Sequence, residues 1–482
     1  MNARIDGRTK WLALIILCLG DLMIVLDSTI VNVALPSIRA DLGFSETSLV
    51  WVVNAYMLTF GGFLLLGGKL GDIFGHRRMF FAGIVVFTIA SAACGFANSQ
   101  GMLIVARAAQ GFGGAVVSAV ALSLIMTLFT EDKERARAMG FFGFVMAGGG
   151  SLGVLLGGVL TDAISWHSIF LVNLPIGAAV LAVGLALLPK DATRGQRERV
   201  DVWGAATITG ALLLAVYAVV NGNEAGWTSA QTLGFLGGAV VLFGAFITIE
   251  LRVANPLVPL GLFKLRNLAT ANVIGVLWSG AMFTWFFIAA LYLQLVLGYD
   301  PLEVGLAFLP ANLIMGAFSL GLSAKIVNRW GNRIPLTIGM ALVAIGLLWF
   351  ARAPLDGGLF ADVLPGMILL GVGVGLAFNP VLLSAMSDVA PEKAGLASGV
   401  ANTSFMMGGA LGLAILAALA AGRTETLAAS GVETLAALNG GYHIAFIAGA
   451  IAAAIAAILA FVFLSRKPAA EAQGSGAVVH AH

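Results

Sequence analysis

The sequence predicts an all-α integral membrane protein: fourteen transmembrane helices, arranged as two pseudo-symmetric six-helix bundles with a two-helix insert between them. Three observations predict this. Hydrophobic residues make up 60% of the 482 and charged residues only 10%, against about 25% charged in average soluble proteins. Fourteen apolar stretches approach or reach spanning length. A loop and a glycine-rich span each recur eight spans later.

The first core, 11–33, follows a short basic start, Met1 to Lys10. It is too long for a signal-peptide core, so it reads as a first span that stays in the protein. The cores that follow are 48–68, 79–97, 102–127, 138–160 and 169–188, then 204–220 and 233–250. The last six are 270–296, 303–324, 335–351, 364–386, 398–421 and 442–464. About 20 apolar residues cross a hydrocarbon layer as a helix. Basic residues set the orientation. With the N-terminus inside, one side holds Arg4, Arg8, Lys10, Lys69, Arg77, Arg78, Lys133, Arg135, Arg137, Lys190, Arg194, Arg197 and Arg199. It also holds Arg252, Lys264, Arg266, Lys325, Arg329, Arg333, Lys393, Arg466 and Lys467, while the other side holds only Arg39, Arg352 and Arg423. Arg107 lies within a span. This asymmetry places both termini in the cytoplasm and requires an even number of spans in a multi-pass protein of the inner, cytoplasmic membrane.

The repeat divides the chain. Lys69-Leu70-Gly71-Asp72-Ile73-Phe74-Gly75-His76-Arg77 follows the second span, and Lys325-Ile326-Val327-Asn328-Arg329-Trp330-Gly331-Asn332-Arg333 follows the tenth. Gly149-Gly150-Ser151-Leu152-Gly153 in the fifth span is answered by Gly408-Gly409-Ala410-Leu411-Gly412 in the thirteenth. Residues 1–190 therefore form the N-terminal bundle, 191–266 a linker with two inserted helices, and 267–467 the C-terminal bundle. Residues 468–482, rich in Ala and small polar residues, form a disordered cytoplasmic tail. Paired six-span halves signal a transporter with its site near the midplane between them.

Charges inside the spans are few. Asp21 and Asp27 lie in the first span and Arg107 in the fourth, and ionisable residues at such depth mark function by default. The bland alternative is a satisfied structural carboxylate. Asp21 shares a helical stripe with Ser28 and Asn32, while Asp27 points about 120° away. The last six spans carry no deep ionisable residue, so proton chemistry is confined to the N-terminal half. Aromatic and amide side chains that a flat apolar ligand could meet are Trp51, Asn54 and Tyr56 in the second span, Trp278, Trp285 and Phe286 in the ninth, and Asn312 and Asn379. A net charge of +2 gives no case for nucleic acid. Cys18 and Cys94 both fall in apolar spans, which argues against a disulfide framework. No phosphate-binding loop, metal-ligand cluster or catalytic constellation is read, so no cofactor and no enzyme activity is expected.

Four motifs resemble those of the major facilitator superfamily, in its fourteen-span branch of drug:proton antiporters. Leu26 to Pro36 resembles the branch's first-span motif. Gly68 to Arg78 resembles the superfamily loop Gly-x-Leu-x-Asp-Arg-x-Gly-Arg-Arg/Lys, with Ile73 and His76 where arginines are usual. Ile104 to Ala115, with Arg107, Gln110, Gly111 and Gly113, resembles the fourth-span motif. Gly143 to Gly158 resembles the fifth-span antiporter motif, with Val154 where a proline is typical. The segment Trp166 to Gly177 also fits, with Trp166-His167-Ser168 for the usual Trp-Arg-Trp.

The resemblance implies roles. Asp27 and Arg107 sit at similar depths and, with the first and fourth spans as neighbours, pair in one state and part in the other; the proton affinity of Asp27 then changes with conformation. Asp21 is the rival proton carrier. Gly68, Gly71, Asp72, Gly75 and Arg77, echoed by Asn328 and Arg333, would latch the state whose inner side is closed. Gly149, Gly153 and Gly157 form a ridge expected to pack against the tenth span and let the halves rock. The implied function is a monomeric, proton-driven efflux antiporter that exports drugs, antibiotics or similar amphipathic small molecules by alternating access. A dedicated exporter of a self-made metabolite, or an uptake symporter of the same fold, is the alternative.

Overall fold

In the computed structural model, residues 7–129, 131–188, 201–318, 322–389 and 393–465 are described. The tail 468–482 and most of the linker between the sixth and seventh spans lie outside them. No strand occurs among the described residues. The first half runs through α1 (Gly7–Leu42), α2 (Glu46–Phe74), α3 (His76–Gly95), α4 (Gln100–Leu128), α5 (Asp132–Ala163), the short α6 (Ser168–Leu171) and α7 (Asn173–Leu187). Where the sequence reading expects an insert stand α8 (Val202–Ala225) and α9 (Ala230–Arg252). The second half comprises α10 (Arg266–Leu291), α11 (Pro301–Ala317), α12 (Ser323–Trp330), α13 (Arg333–Phe350), α14 (Leu364–Met386), α15 (Ala394–Ala429) and α16 (Thr434–Phe463).

Among the described residues, twelve helical stretches are long and apolar enough to cross a membrane. The fifth and tenth expected spans are represented there by the shorter apolar helices Leu152–Ala163 and Pro301–Ala317.

Local chemistry explains several boundaries. Ser45 forms a capping box with Ser48 at the start of α2, and Ser99, Asp201 and Ser229 cap α4, α8 and α9 through their side chains. Gly75 joins α2 to α3 at φ +97°, a conformation that side-chain-bearing residues rarely adopt. The sixth span runs as one helical stretch, Ser168–Leu187, as the sequence reads it. Its hydrogen bonding is locally irregular at Val172, whose backbone stays helical at φ −60° and ψ −24°. Pro175 follows within the first turn of α7, where its missing N–H is tolerated.

The described residues fall into two compact units. The first runs to Leu257 and includes Leu293–Leu306; the second is Val258–Tyr292 with the residues from Ala307 on. In the first, α1 packs on α4, α5 and α7, and α3 on α4 and α7. In the second, α10 packs on α14, α15 and α16, and α13 on α14 and α16. These are the same pairings shifted by eight spans. The insert packs as a helix pair, with α8 also against α2. A methyl group on Gly62 would overlap Thr209 Oγ1. On α9, Leu233, Val240, Val241 and Phe243 stay exposed, as suits a lipid-facing helix.

Candidate functional site

Asp27 and Arg107 meet in the middle of the first unit. Arg107 Nη1 donates to Asp27 Oδ2 at 2.5 Å, and both side chains are at most 1% exposed. The same Nη1 donates to Gln110 Oε1 at 2.6 Å, and Nε donates to Val52 O at 2.9 Å. Asp27 Oδ1 accepts from Gln110 Nε2 at 2.6 Å and from Asn173 Nδ2 at 3.1 Å. Both carboxylate oxygens are therefore partnered. Burial penalises each charge on its own, and such a pair holds only when its remaining hydrogen-bonding capacity is met. Here three helices meet it: α2 through Val52, α4 through Gln110 and α7 through Asn173.

A second shell of contacts fixes the first. Gln110 Nε2 also donates to Ser91 Oγ at 2.8 Å, and Cys94 Sγ donates to Gln110 Oε1 at 3.7 Å. The guanidinium lies 4.4 Å from the Tyr56 ring centroid and 5.6 Å from that of Phe170, a cation–π arrangement on two faces. Phe170 sits on α6, and just before that helix Trp166 Nε1 donates to Asp41 Oδ2 at 2.9 Å. Gln110 appears in the sequence motif without an assigned partner. Ser91 carries no assignment in the sequence, Cys94 is read there only as an apolar-span cysteine, and Asn173 only as part of the Trp166–Gly177 motif; the signals available are a polar residue two before Pro175, and Ser91 and Cys94 three apart on one helix face.

Asp21 occupies a separate place. It is 1% exposed, and its Oδ1 accepts from Ser118 Oγ at 2.6 Å. The structure thus brings Asp27 to Arg107 and leaves Asp21 apart from both.

The loop after α2 has these local contacts. Asp72 pairs with His76 Nε2 at 3.2 Å, one turn away, and its side chain is 70% exposed. Arg77 Nη2 donates to Leu185 O at 2.7 Å, and its guanidinium covers Phe81 at 5.2 Å. His76, where the motif usually has an arginine, takes the i,i+4 position beside the Asp72 carboxylate. Gly68 and Gly71 face α4; a methyl on Gly71 would lie 2.6 Å from Val120 Cγ1. Lys69 donates to Asn255 O at 3.0 Å and Pro256 O at 3.1 Å, fastening the loop to the linker after α9. In the second unit Asn328 is exposed and Arg333 stacks over Phe461 at 4.6 Å.

The glycine ridge is a correction. A methyl on Gly149 would lie 2.9 Å from Leu22 Cδ1, one on Gly153 2.9 Å from Leu26 O, and one on Gly157 2.6 Å from Ile30 O. The ridge packs on α1, not on the tenth span. The tenth span's start is met by the neighbouring face of α5: a methyl on Gly158 would lie 2.6 Å from Pro301 O, and one on Gly305 3.1 Å from Val154 O. Spacing by four identified the close-packed stripe but not which neighbour it faced, and residue 158 lies about 100° around the helix from 157.

The aromatic candidates are mostly packed. Tyr56, read as a ligand contact, is part of the Arg107 cage. Trp51 lies 6.4 Å from Tyr217 of the insert, and Asn54 is fully buried. Trp278 packs on Phe405 and Phe378 at 5.1 and 6.0 Å. Trp285 packs on Phe286 and Phe308 at 4.5 and 5.6 Å. Asn312 is buried and Asn379 half-buried. In this conformation both tryptophans belong to the core of their unit.

Comparison with known proteins fits this architecture. A family model described as Major Facilitator Superfamily matches residues 17–413. Puromycin resistance protein pur8 of Streptomyces alboniger is 38% identical over 481 residues, covering 98% of this chain and 95% of that protein. Cephamycin export protein CmcT of Amycolatopsis lactamdurans is 40% identical over 413 residues, 85% of this chain and 84% of that one. A lincomycin resistance protein of Streptomyces lincolnensis is 37% identical over 418 residues, 85% and 84% of the two chains. With all-helical architecture, buried intramembrane charges and matches over most of its length, the chain belongs to the Major Facilitator Superfamily.

Proposed function

We propose that this transporter exports antibiotics or similar amphipathic small molecules across the cytoplasmic membrane by alternating access, driven by proton influx. The substrate class rests on relatives named for resistance to, or export of, puromycin, cephamycin and lincomycin. One observation carries the coupling: a fully buried carboxylate, Asp27, locked by Arg107 on a neighbouring helix. Opening that contact in one state frees a carboxylate to take a proton, and reforming it expels the proton. Asp27, Arg107 and Asp21 form the coupling set. The loop Gly68–Arg78 with Asn328 and Arg333 acts as the cytoplasmic latch, and Trp278, Trp285, Phe286, Asn312 and Asn379 contribute to substrate contact once the state changes.

The reading extends to topology. Fourteen spans, two six-helix halves at 1–190 and 267–467, and an inserted pair between them are supported by the recurrence of helix pairings eight spans apart. Both termini lie in the cytoplasm, and the working unit is a monomer. A second reading, a dedicated exporter of one self-made compound, is favoured by relatives named for a single compound, such as cephamycin.

Transport into inside-out vesicles tests the reading. With an acidic lumen, puromycin or lincomycin is expected to accumulate, and collapsing the pH gradient abolishes accumulation. Accumulation that survives collapse sinks proton antiport; movement in the same direction as protons turns it into symport. Asp27→Asn is expected to remove gradient-driven transport at unchanged protein level.

A further inference from the structure

Two buried carboxylates share α1, yet their surroundings differ in kind. They stand six residues apart, about 9 Å along the helix and about 120° around it. Asp27 receives three side-chain hydrogen bonds, one from a guanidinium, and has both oxygens partnered. Asp21 is equally sealed, at 1% exposure, but has one partner, the Ser118 hydroxyl of α4. Its Oδ2 has no hydrogen-bond partner among the described residues.

An ionised carboxylate needs donors at both oxygens when water is excluded, and several kilocalories are lost without them. Asp27 has what a charged group requires. Asp21 has what a neutral carboxyl requires: with the proton on Oδ1, the acid donates to Ser118, whose hydroxyl can accept as readily as donate. Oδ2 then becomes a carbonyl-type oxygen, a less costly atom to leave without a donor. The charged and titratable groups around it do not compensate a negative charge. Cys18 lies on its own helix three residues away. Tyr56 of α2 is within electrostatic reach but carries no positive charge. On α4, Arg107 is eleven residues from Ser118, about 16 Å along that helix, and is committed to Asp27. The positive charges nearest α1 along α5 sit at its cytoplasmic start, where Lys10 pairs with Glu134 at 3.6 Å.

We infer that the Asp21–Ser118 pair holds the exchangeable proton in this conformation, while Asp27 stays ionised as the locking group bound to Arg107. This deepens the proton-coupled reading and rests on it for its consequence: in this conformation the proton sits at Asp21 and the lock at Asp27, and Asp27 takes a proton only once its contact with Arg107 opens. Movement of α1 against α4 would open both sites, because Ser118 and Arg107 lie on the same helix.

Infrared difference spectroscopy across a pH titration, on the full chain in lipid nanodiscs, reads buried protonated carboxyls through their acid carbonyl band and needs no ligand. The wild type is expected to show one such band that vanishes as pH rises. Asp21→Asn removes it, Asp21→Glu restores it at a displaced frequency, Ser118→Ala moves its frequency and midpoint, and Asp27→Asn leaves it in place. A band that persists in Asp21→Asn and disappears in Asp27→Asn overturns the assignment, as does a wild type with no titrating band. The vesicle assay separates the two readings: an intact Asp21 band with gradient-independent transport leaves the proton site standing and sinks proton antiport alone.

Discussion

Replacing Arg107 by Leu would leave the Asp27 carboxylate buried among amide and hydroxyl groups with its charge unbalanced. Breaking a buried pair by removing one partner costs about 3–5 kcal/mol. The double variant Asp27→Asn/Arg107→Leu removes both charges and is expected to melt at a higher temperature than Arg107→Leu alone. Thermal unfolding of the wild type, Asp27→Asn, Arg107→Leu and the double variant in detergent forms a double-mutant cycle, and strictly additive effects would contradict the pairing. Asn173→Ala is milder, because Gln110 still serves Oδ1; the expected loss is about 1.5–3 kcal/mol, the range for hydrogen bonds to charged groups. Asp27 and Arg107 were legible as a pair because deep charges are scarce, helical rise sets their depth, and the family resemblance implies that the first and fourth spans are neighbours. Asn173 and Ser91 were not, because amides and hydroxyls in apolar helices usually bond to their own backbone. Their convergence on Asp27 depends on how α3 and α7 are rotated, which periodicity does not encode.

The close packing of α5 against α1 makes single methyl groups decisive in some places and irrelevant in others. At Gly153 an added methyl would overlap Thr29 Oγ1 and approach Leu26 O to 2.9 Å. Gly153→Ala must push the helices apart and is expected to cost about 1–3 kcal/mol, as overpacking does. Gly143 and Gly150 lie on the same helix with nothing among the described residues within 4 Å of an added methyl. Alanine there is expected to be neutral or to stabilise by up to about 1 kcal/mol through the lower entropy of the unfolded chain. Melting temperatures of the three variants check the contrast, and equal behaviour would sink it. Most helices were legible from apolar length. The π-helical turns Tyr292–Val296 and Leu359–Val363 were not, since they leave the apolar pattern intact and alter only the backbone path. The glycine stripe was legible as a contact surface, but α1 as its partner follows from three-dimensional packing.

At the scale of the whole chain, the charge pattern and the insert meet in one prediction. No Lys or Arg occurs between Asp201 and Glu250, whereas Arg199 precedes the insert and Arg252, Lys264 and Arg266 follow it. Basic residues resist translocation, so both flanks should stay in the cytoplasm and the turn Gly226–Ser229 should reach the outer side. The helices suit that path: α8 and α9 pack on each other, and Trp227 Nε1 donates to Asn223 Oδ1 at 3.0 Å in the turn between them. Reporter fusions that are active only on one side of the membrane decide the matter. Fusions at residues 191–200 and 253–258 are expected to report the cytoplasm, and a fusion at 227–228 the outer side. A cytoplasmic signal at 227–228 would mean that α8 and α9 do not cross, which leaves twelve spans with the two halves joined by a membrane-surface helix pair. An outer signal at 253–258 would invert the second half and place Lys325, Arg329 and Arg333 outside, against the bias that orients the rest of the chain. An outer signal at 253–258 alone separates the loops after the second and tenth spans; the expected pattern and the twelve-span outcome both keep them on the same face, which is the condition for both to act in one cytoplasmic latch.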